Sequence, residues 1–279
     1  MKNEFKRTIL KSLSIYPVLI ILLVIYSLPI LWLFSSSFKS ESIYTKDQFT
    51  IRAFLPTEFR IENYLFVIQK GGLGRAVLNT VWVAFLNIVF CGLVNSFAAF
   101  SLAYLNYPMK CFIFGLIIAL IIIPFDALIL QNFITIKNLG LLNTYASMVL
   151  PGLANPFFIF LYRQFFLNIP KEIFESARID GAGYLSIYFR IVFPIAKPVF
   201  TLTSISIFNG MWNAFLWPLM VITNPKYNLI QIAVQKFLGS RTLDTGYIMA
   251  SLSISALPPL ILFAFLQRYF VAAMRGIAK

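Results

Sequence analysis

The chain is 279 residues long, 59% hydrophobic, 17% aromatic and only 12% charged. Soluble domains carry about 25% charged residues, so this chain lacks the polar skin of a water-exposed fold. Its positive mean hydropathy marks an all-α polytopic membrane protein. The 23 Lys and Arg against 10 Asp and Glu leave a formal +13, which here reports topology before nucleic-acid binding, because basic residues gather on cytoplasmic loops.

Charge-free intervals place six candidate spans near 13–37, 76–103, 111–131, 143–165, 198–222 and 247–270, each close to the ~20 apolar residues a crossing needs. The first is too long for the apolar region of a signal peptide and reads as an uncleaved helix. Residues 39–75 are too many for a tight turn and are expected to form a small external cap. On span two lie Asn79, Asn87, Asn95 and Ser96. Polar groups in a span usually face the bundle interior, either lining a solute path or bonding helix to helix. In the third span Asp126, just after Pro124, is expected near the outer end, solvated or paired with a lysine. A functional intramembrane carboxylate is the other reading.

The fourth span carries Pro151-Gly152 and Asn155-Pro156 and is expected to kink. Asn209, Trp212 and Asn213 sit on the fifth, where Trp212, Phe208 or Phe215 could offer a stacking face to a solute. Span six ends with Phe265, Tyr269 and Phe270 around Arg268, a pattern of interfacial anchoring. With the amino terminus inside, the inner segments hold slightly more Lys and Arg than the outer ones, and far more once the long first loop is set aside, so both termini are expected in the cytoplasm.

Two residue types exclude chemistry. The chain has no His, which removes His-dependent triads and His metal sites. Cys91 and Cys111 lie in or beside apolar runs and read as small buried hydrophobes rather than a metal or disulfide framework. Clustered catalytic acids are likewise missing, which argues against a membrane enzyme. No carboxylate sits at mid-membrane for a proton-coupled carrier.

The largest inner segment is 170–197. Pro170 suits a helix start and Glu172 follows in the first turn, where the helix dipole favours an acid. Ile173, Phe174 and Ala177 form an apolar stripe at helical spacing. Gly181 and Gly183 stop this helix, and a second runs from about Leu185 to Phe193, ending at Pro194. Such a pair offers a ridge to a partner protein or rests on lipid headgroups. Glu172, Glu175 and Asp180 weigh against the lipid, since acids repel anionic headgroups.

Glu175-Ser176-Ala177, then Gly181, then Ile191-Val192-Phe193-Pro194 resembles the EAA motif of bacterial ABC importer permeases, with Ser176 and Phe193 as mild departures. Ile179-Asp180-Gly181-Ala182, Trp212-Asn213-Ala214-Phe215 with Pro218-Leu219, and the ending Gln267-Arg268-Tyr269-Phe270-Val271 are similar to carbohydrate-uptake permeases. The closest resemblance is to the smaller membrane subunit of maltose-type systems. It implies a coupling loop that docks into a cytoplasmic ATPase, with Glu172, Glu175, Ser176, Ala177, Asp180, Gly181, Ile191 and Pro194 as the ATPase-coupling residues. Glu175 would be the charged contact, Gly181 the turn, and Ala177 a close-packing position that a larger side chain would disturb.

The partners the resemblance implies are a second homologous permease, two ATPase subunits, an external solute-binding protein and the lipid bilayer of a bacterial cytoplasmic membrane. Nucleic acid is not among them. No G-x-x-x-x-G-K-[ST] loop occurs, so ATP and Mg would be handled by the ATPase chain and no cofactor by this one. In maltose-type systems the larger subunit carries most sugar contacts. That weighs toward a helix-packing role for Asn87, Asn209, Trp212 and Asn213, which are the candidates for a translocation path. The solute is expected to be a sugar or oligosaccharide. A permease for an amino acid, phosphate or polyamine is the alternative within the class.

Overall fold

A computed structural model describes residues 2–239 and 244–277, with side chains described over 15–239 and 244–265. The side chains of the expected anchor at Arg268, Tyr269 and Phe270, of the ending Gln267–Val271, and of Lys2, Lys6, Arg7, Lys11, Arg241, Arg275 and Lys279 lie outside the described ones. The described residues contain no strand. In chain order the helices are α1 (Lys2–Ser37), α2 (Glu41–Asp47), α3 (Glu62–Leu65), α4 (Leu73–Tyr104), α5 (Lys110–Leu120), α6 (Ile129–Asn138), α7 (Tyr145–Val149) and α8 (Pro156–Leu167). They continue as α9 (Lys171–Ile179), α10 (Tyr184–Ile187), α11 (Phe193–Ile195), α12 (Lys197–Trp212), α13 (Leu216–Val221), α14 (Ile230–Leu238) and α15 (Thr245–Ile277).

Three stretches are long and apolar enough to cross a membrane as single helices: Ile15–Ser37, Leu73–Tyr104 and Thr245–Phe265. Three bent pairs qualify only when each is taken together. Lys110–Leu120 with Phe125–Asn138 turns by 91°, Tyr145–Gly152 with Pro156–Leu167 by 56°, and Tyr184–Ile195 with Lys197–Trp212 by 78°. The continuous helix expected over 111–131 is thus broken at Pro124, and Asp126 sits exposed in the 3-10 turn Phe125–Leu128 at that bend, not within a helical wall. The helix expected over 198–222 ends at Trp212 and resumes at Leu216. Cys91 is buried, but Cys111 is exposed. It lies in the first turn of α5, none of whose residues is buried, so its apolar neighbours do not enclose it.

The chain divides into two compact units, 1–74 with 233–279, and 75–232. In the first, α1 leaves most of its large apolar residues from Ile15 to Leu31 exposed, a surface suited to lipid. The segment after α1 is polar and closely bonded. Lys39 is buried, with Nζ 3.1 Å from Asp47 Oδ2 and 2.7 Å from the Arg52 carbonyl. Thr57 donates to the same Asp47 oxygen at 2.6 Å, and Asn63 donates to the carbonyls of Ser37 and Lys39. A Cβ at Gly246 would strike the Lys39 carbonyl and the Asn63 amide, so α15 approaches this turn at glycine distance. Phe66 stacks on Tyr247 at 4.2 Å.

The second unit holds two apolar clusters. One gathers Val83, Ile136, Met148, Val149, Trp217 and Leu229. The other gathers Ala99, Phe100, Tyr162, Phe166, Ala177, Ile187, Tyr188 and Val192 and so includes residues of the 170–197 segment.

Candidate functional site

In the 170–197 segment Pro170 precedes the helix in an extended conformation, φ −54° and ψ 131°, and α9 begins one residue later. Glu172 lies in its first turn and Arg178 in its last, both favourable to the helix dipole. The end is a Schellman motif: the Ala182 N–H donates to the Ala177 carbonyl at 2.9 Å and the Gly181 N–H to that of Arg178 at 3.1 Å. Gly181 has φ +82°, the left-handed conformation that costs other residues about 1–2 kcal/mol. An added Cβ there would meet nothing within 4 Å. Backbone conformation, not space, is what asks for glycine.

The inward face of this segment is aromatic. Phe174 stacks on Tyr104 with centroids 4.7 Å apart and planes 5° from parallel. Tyr104 in turn donates to the Phe166 carbonyl at 2.9 Å. Ala177 is 9% exposed within the cluster, so a larger side chain there meets packed neighbours. Ile173 is exposed and does not share the buried stripe with Phe174 and Ala177. Three and four residues on a short helix span about 100°, and the cluster takes only part of that arc. The outward face carries Glu172, Glu175, Ser176 and Asp180, all exposed, beside Ile179 at 86% and Leu185 at 66% exposure. Arg178 lies over the Tyr184 ring at 4.3 Å and joins the two helices.

The second helix differs from the expected 185–193. It starts at Tyr184, widens to a π turn over Tyr188–Val192 and continues through Phe193–Ile195. Pro194 does not end it. Pro194 has no N–H with which to close an α-helical bond to Arg190, and the wider turn already shifts the bonding there. The chain bends instead at Ala196, ahead of Pro198 in the first turn of α12. Ile191 is partly buried and Pro194 exposed.

On α4 the polar residues are buried and bonded. Asn79 donates to the carbonyls of Lys226 and Asn228 at 2.9 and 3.0 Å and accepts from the Tyr145 hydroxyl at 2.8 Å. Thr80 accepts from the Ile230 N–H at 2.8 Å. Asn95 donates to the Leu153 carbonyl and accepts from the Asn155 N–H, both at 2.8 Å. It thereby satisfies two backbone groups released where Pro156 breaks the chain. Asn155 in turn caps α8, accepting from the N–H groups of Phe157 and Phe158. Ser96 meets the Tyr188 hydroxyl at 2.6 Å. Asn87 is buried, with its amide on the Val83 carbonyl and Met211 Sδ.

The four candidate path residues part company. Asn209 and Asn213 are exposed, and the Asn213 amide donates to the Asn209 carbonyl at 2.8 Å. Trp212 is fully buried, stacked on Phe208 at 5.5 Å, so its ring offers no face to a solute in this arrangement. Phe215 is 38% exposed. Thr80 and Tyr188 have structural roles that sequence reading missed. Tyr188 falls in the unspecified gap of the motif, and only its place four residues into an amphipathic helix hints at burial.

Residues 95–276 match the family described as binding-protein-dependent transport system inner membrane component. The chain is 31% identical over 249 residues to the arabinooligosaccharides transport system permease protein AraQ of Halalkalibacterium halodurans, covering 88% of each. It is 30% identical to the sn-glycerol-3-phosphate transport system permease protein UgpE of Brucella melitensis, covering 92% of this chain and 93% of that one. Its fold is similar, with a TM-score of 0.84 and 20% identity, to a chain in the crystal structure of a bacterial ABC transporter involved in import of the acidic polysaccharide alginate, covering 93% and 96% of the two chains. With a family match over more than half its length and a permease relative above 30% identity, the chain belongs to the inner-membrane components of binding-protein-dependent transport systems.

Proposed function

We propose that this chain is the permease subunit of an ATP-driven importer that takes up a sugar or oligosaccharide from an external binding protein. The observation that carries it is the two-faced 170–197 segment. Phe174, Ala177, Ile187, Tyr188 and Val192 anchor it inward, while Glu172, Glu175 and Asp180 stand exposed beside Ile179 and Leu185. A segment laid on lipid would bury its exposed leucine and isoleucine without three neighbouring acids; a protein groove takes both.

In this reading the segment is the coupling loop. Glu175 and Asp180 bind a cytoplasmic ATPase dimer that uses ATP and Mg, and closure of that dimer swings the helices between inward- and outward-facing states. The three long helices, the bent pairs Lys110–Leu120 with Phe125–Asn138 and Tyr145–Gly152 with Pro156–Leu167, and α12 with α13 act as six spans, both termini lie in the cytoplasm of a bacterium, and a second homologous permease completes the pore. Asn209 and Asn213, with Phe215, belong to the path, while Asn87 and Trp212 support it from behind. The arabinooligosaccharide relative favours a carbohydrate, and the sn-glycerol-3-phosphate relative keeps a polyol phosphate as the second reading.

The test is uptake and ATP hydrolysis by the reconstituted whole transporter with Glu175→Lys or Gly181→Leu. Coupled uptake should fall at least about ten-fold, equivalent to roughly 1.4 kcal/mol of lost coupling. Wild-type uptake and stimulated hydrolysis in both variants would sink the assignment. Arabino-oligosaccharides and glycerol 3-phosphate, offered separately, decide between the two solute readings.

A further inference from the structure

The coupling segment is joined covalently to α8 and, through the bend at Ala196, to α12. Its tie to α4 is noncovalent and centres on Tyr188. That ring is fully buried, 4.4 Å from Phe97, edge-on to Phe100 at 5.6 Å and edge-on to Phe189 at 4.9 Å. Its hydroxyl reaches Ser96 at 2.6 Å. Ser96 has one proton, and its oxygen lies 2.5 Å from the Gly92 carbonyl, one turn back on α4. Ser96 therefore donates to Gly92, and the Tyr188 hydroxyl donates to Ser96. The result is a two-link chain from the loop into the backbone of α4. Tyr188 also opens the π turn, a backbone irregularity that is often retained at functional sites.

We infer that Tyr188 is a positioning residue that carries movement of the coupling segment into α4 through Ser96, an inference that rests on the coupling-loop reading above. The physical reason is directional. Ring packing alone lets two helices slide, as stacked aromatics keep contact over a range of offsets. A short buried hydrogen bond resists sliding, because breaking it leaves the Tyr188 hydroxyl without an acceptor away from water. The helix α12 needs no such link, since the bend delivers motion to it through the chain itself.

The test uses the whole assembled transporter in proteoliposomes, in a Cys111→Ser background that leaves only the buried Cys91 in this chain, with a bimane fluorophore on one introduced, accessible cysteine. The cysteine is placed at Leu78 on α4 or at Ser206 on α12, both exposed, and emission is compared before and after trapping with ATP and vanadate. In the parent transporter both labels should shift. Tyr188→Phe keeps the ring and removes one oxygen. It should cut the shift at position 78 at least three-fold while the shift at 206 changes less than two-fold.

Ser96→Ala should do the same, and the double variant should be no worse than either single one. A merely structural role for Tyr188 would depress both labels together, and that outcome overturns the inference. So does a parent transporter whose label at 78 does not respond, or single-variant losses that multiply in the double. Glu175→Lys separates the two levels. If it silences both labels while Tyr188→Phe silences neither, the coupling loop stands and the Tyr188 link falls. If both labels still respond in Glu175→Lys, the coupling-loop reading itself fails.

Discussion

Helices α4 and α12 both carry asparagines at helical spacing, and both belong to the same compact unit. On α4, Asn79, Asn87 and Asn95 lie at eight-residue intervals and all three are buried. Asn79 and Asn95 spend their amides on backbone groups of distant loops and breaks. At the end of α12, Asn209 and the C-cap residue Asn213 are exposed and bond to each other. The same residue type thus serves two ends. An amide saturated by backbone groups repairs irregular chain inside the bundle, and one with exposed hydrogen-bonding capacity is available to something else. Exposure and saturation, not residue type, separate them.

The strongest way to break this contrast is Asn95→Leu. It removes a donor and an acceptor from the Leu153–Asn155 break and leaves two backbone groups unpaired, a loss of about 2 kcal/mol where unsatisfied groups cost 1–3 kcal/mol each and intramembrane bonds somewhat less. Unfolding of the purified complex in a graded denaturing detergent should show it. Stability at the level of the parent protein would mean that Asn95 is not a structural clamp. Asn79→Leu should act in the same direction, by about 1 kcal/mol, because the carbonyls of Lys226 and Asn228 lie near a loop that water can reach.

Asn209→Ala and Asn213→Ala should move stability by less than about 0.5 kcal/mol and yet lower solute uptake several-fold. A stability loss as large as that of Asn95→Leu would erase the distinction between the two helices.

The smallest effect concerns pH. The segment after α1 contains ionised counterparts of the α4 clamps. The Thr57 hydroxyl, with Lys39 beside it, holds the Asp47 carboxyl below the ordinary carboxylate range, and the N–H and hydroxyl of Ser40 do so for Glu58. A carboxyl depressed in the folded state contributes stability that is present above its unfolded value, about 4, and is lost as pH falls through its folded value. The first unit should therefore loosen in acid below about pH 4, and Asp47→Asn should flatten that limb. The α4 clamps are amides and hydroxyls, so the second unit should not follow. Cysteine labelling at positions buried in each unit, measured across pH, checks both.

Much of the 170–197 segment was legible because its signals are local. An acid in a first turn, a glycine after the last turn and a spaced motif need only neighbouring residues to act, and Gly181 stands in the left-handed conformation that its Schellman end requires. The end of the second helix was misread. Pro194 is a breaker only in an α-helical hydrogen-bond register, and the π turn before it changes the register. Burial inside the spans was opaque for a different reason. Trp212 and Asn213 are adjacent in sequence, yet one is fully buried and the other exposed.

Composition and charge spacing alone determined that the chain is helical and lives in a membrane, since 12% charge cannot clothe a water-soluble surface and only intrahelical bonding satisfies a backbone in lipid at these segment lengths. The tertiary structure decided which polar groups are spent. Asn95 closes on a break 58 residues away, Ser96 on a tyrosine 92 residues away, and Lys39 is buried against Asp47 rather than marking a wet loop. A hydrogen bond depends on distances of about 3 Å between atoms. Sequence specifies such distances only within a turn of helix, and packing sets the rest.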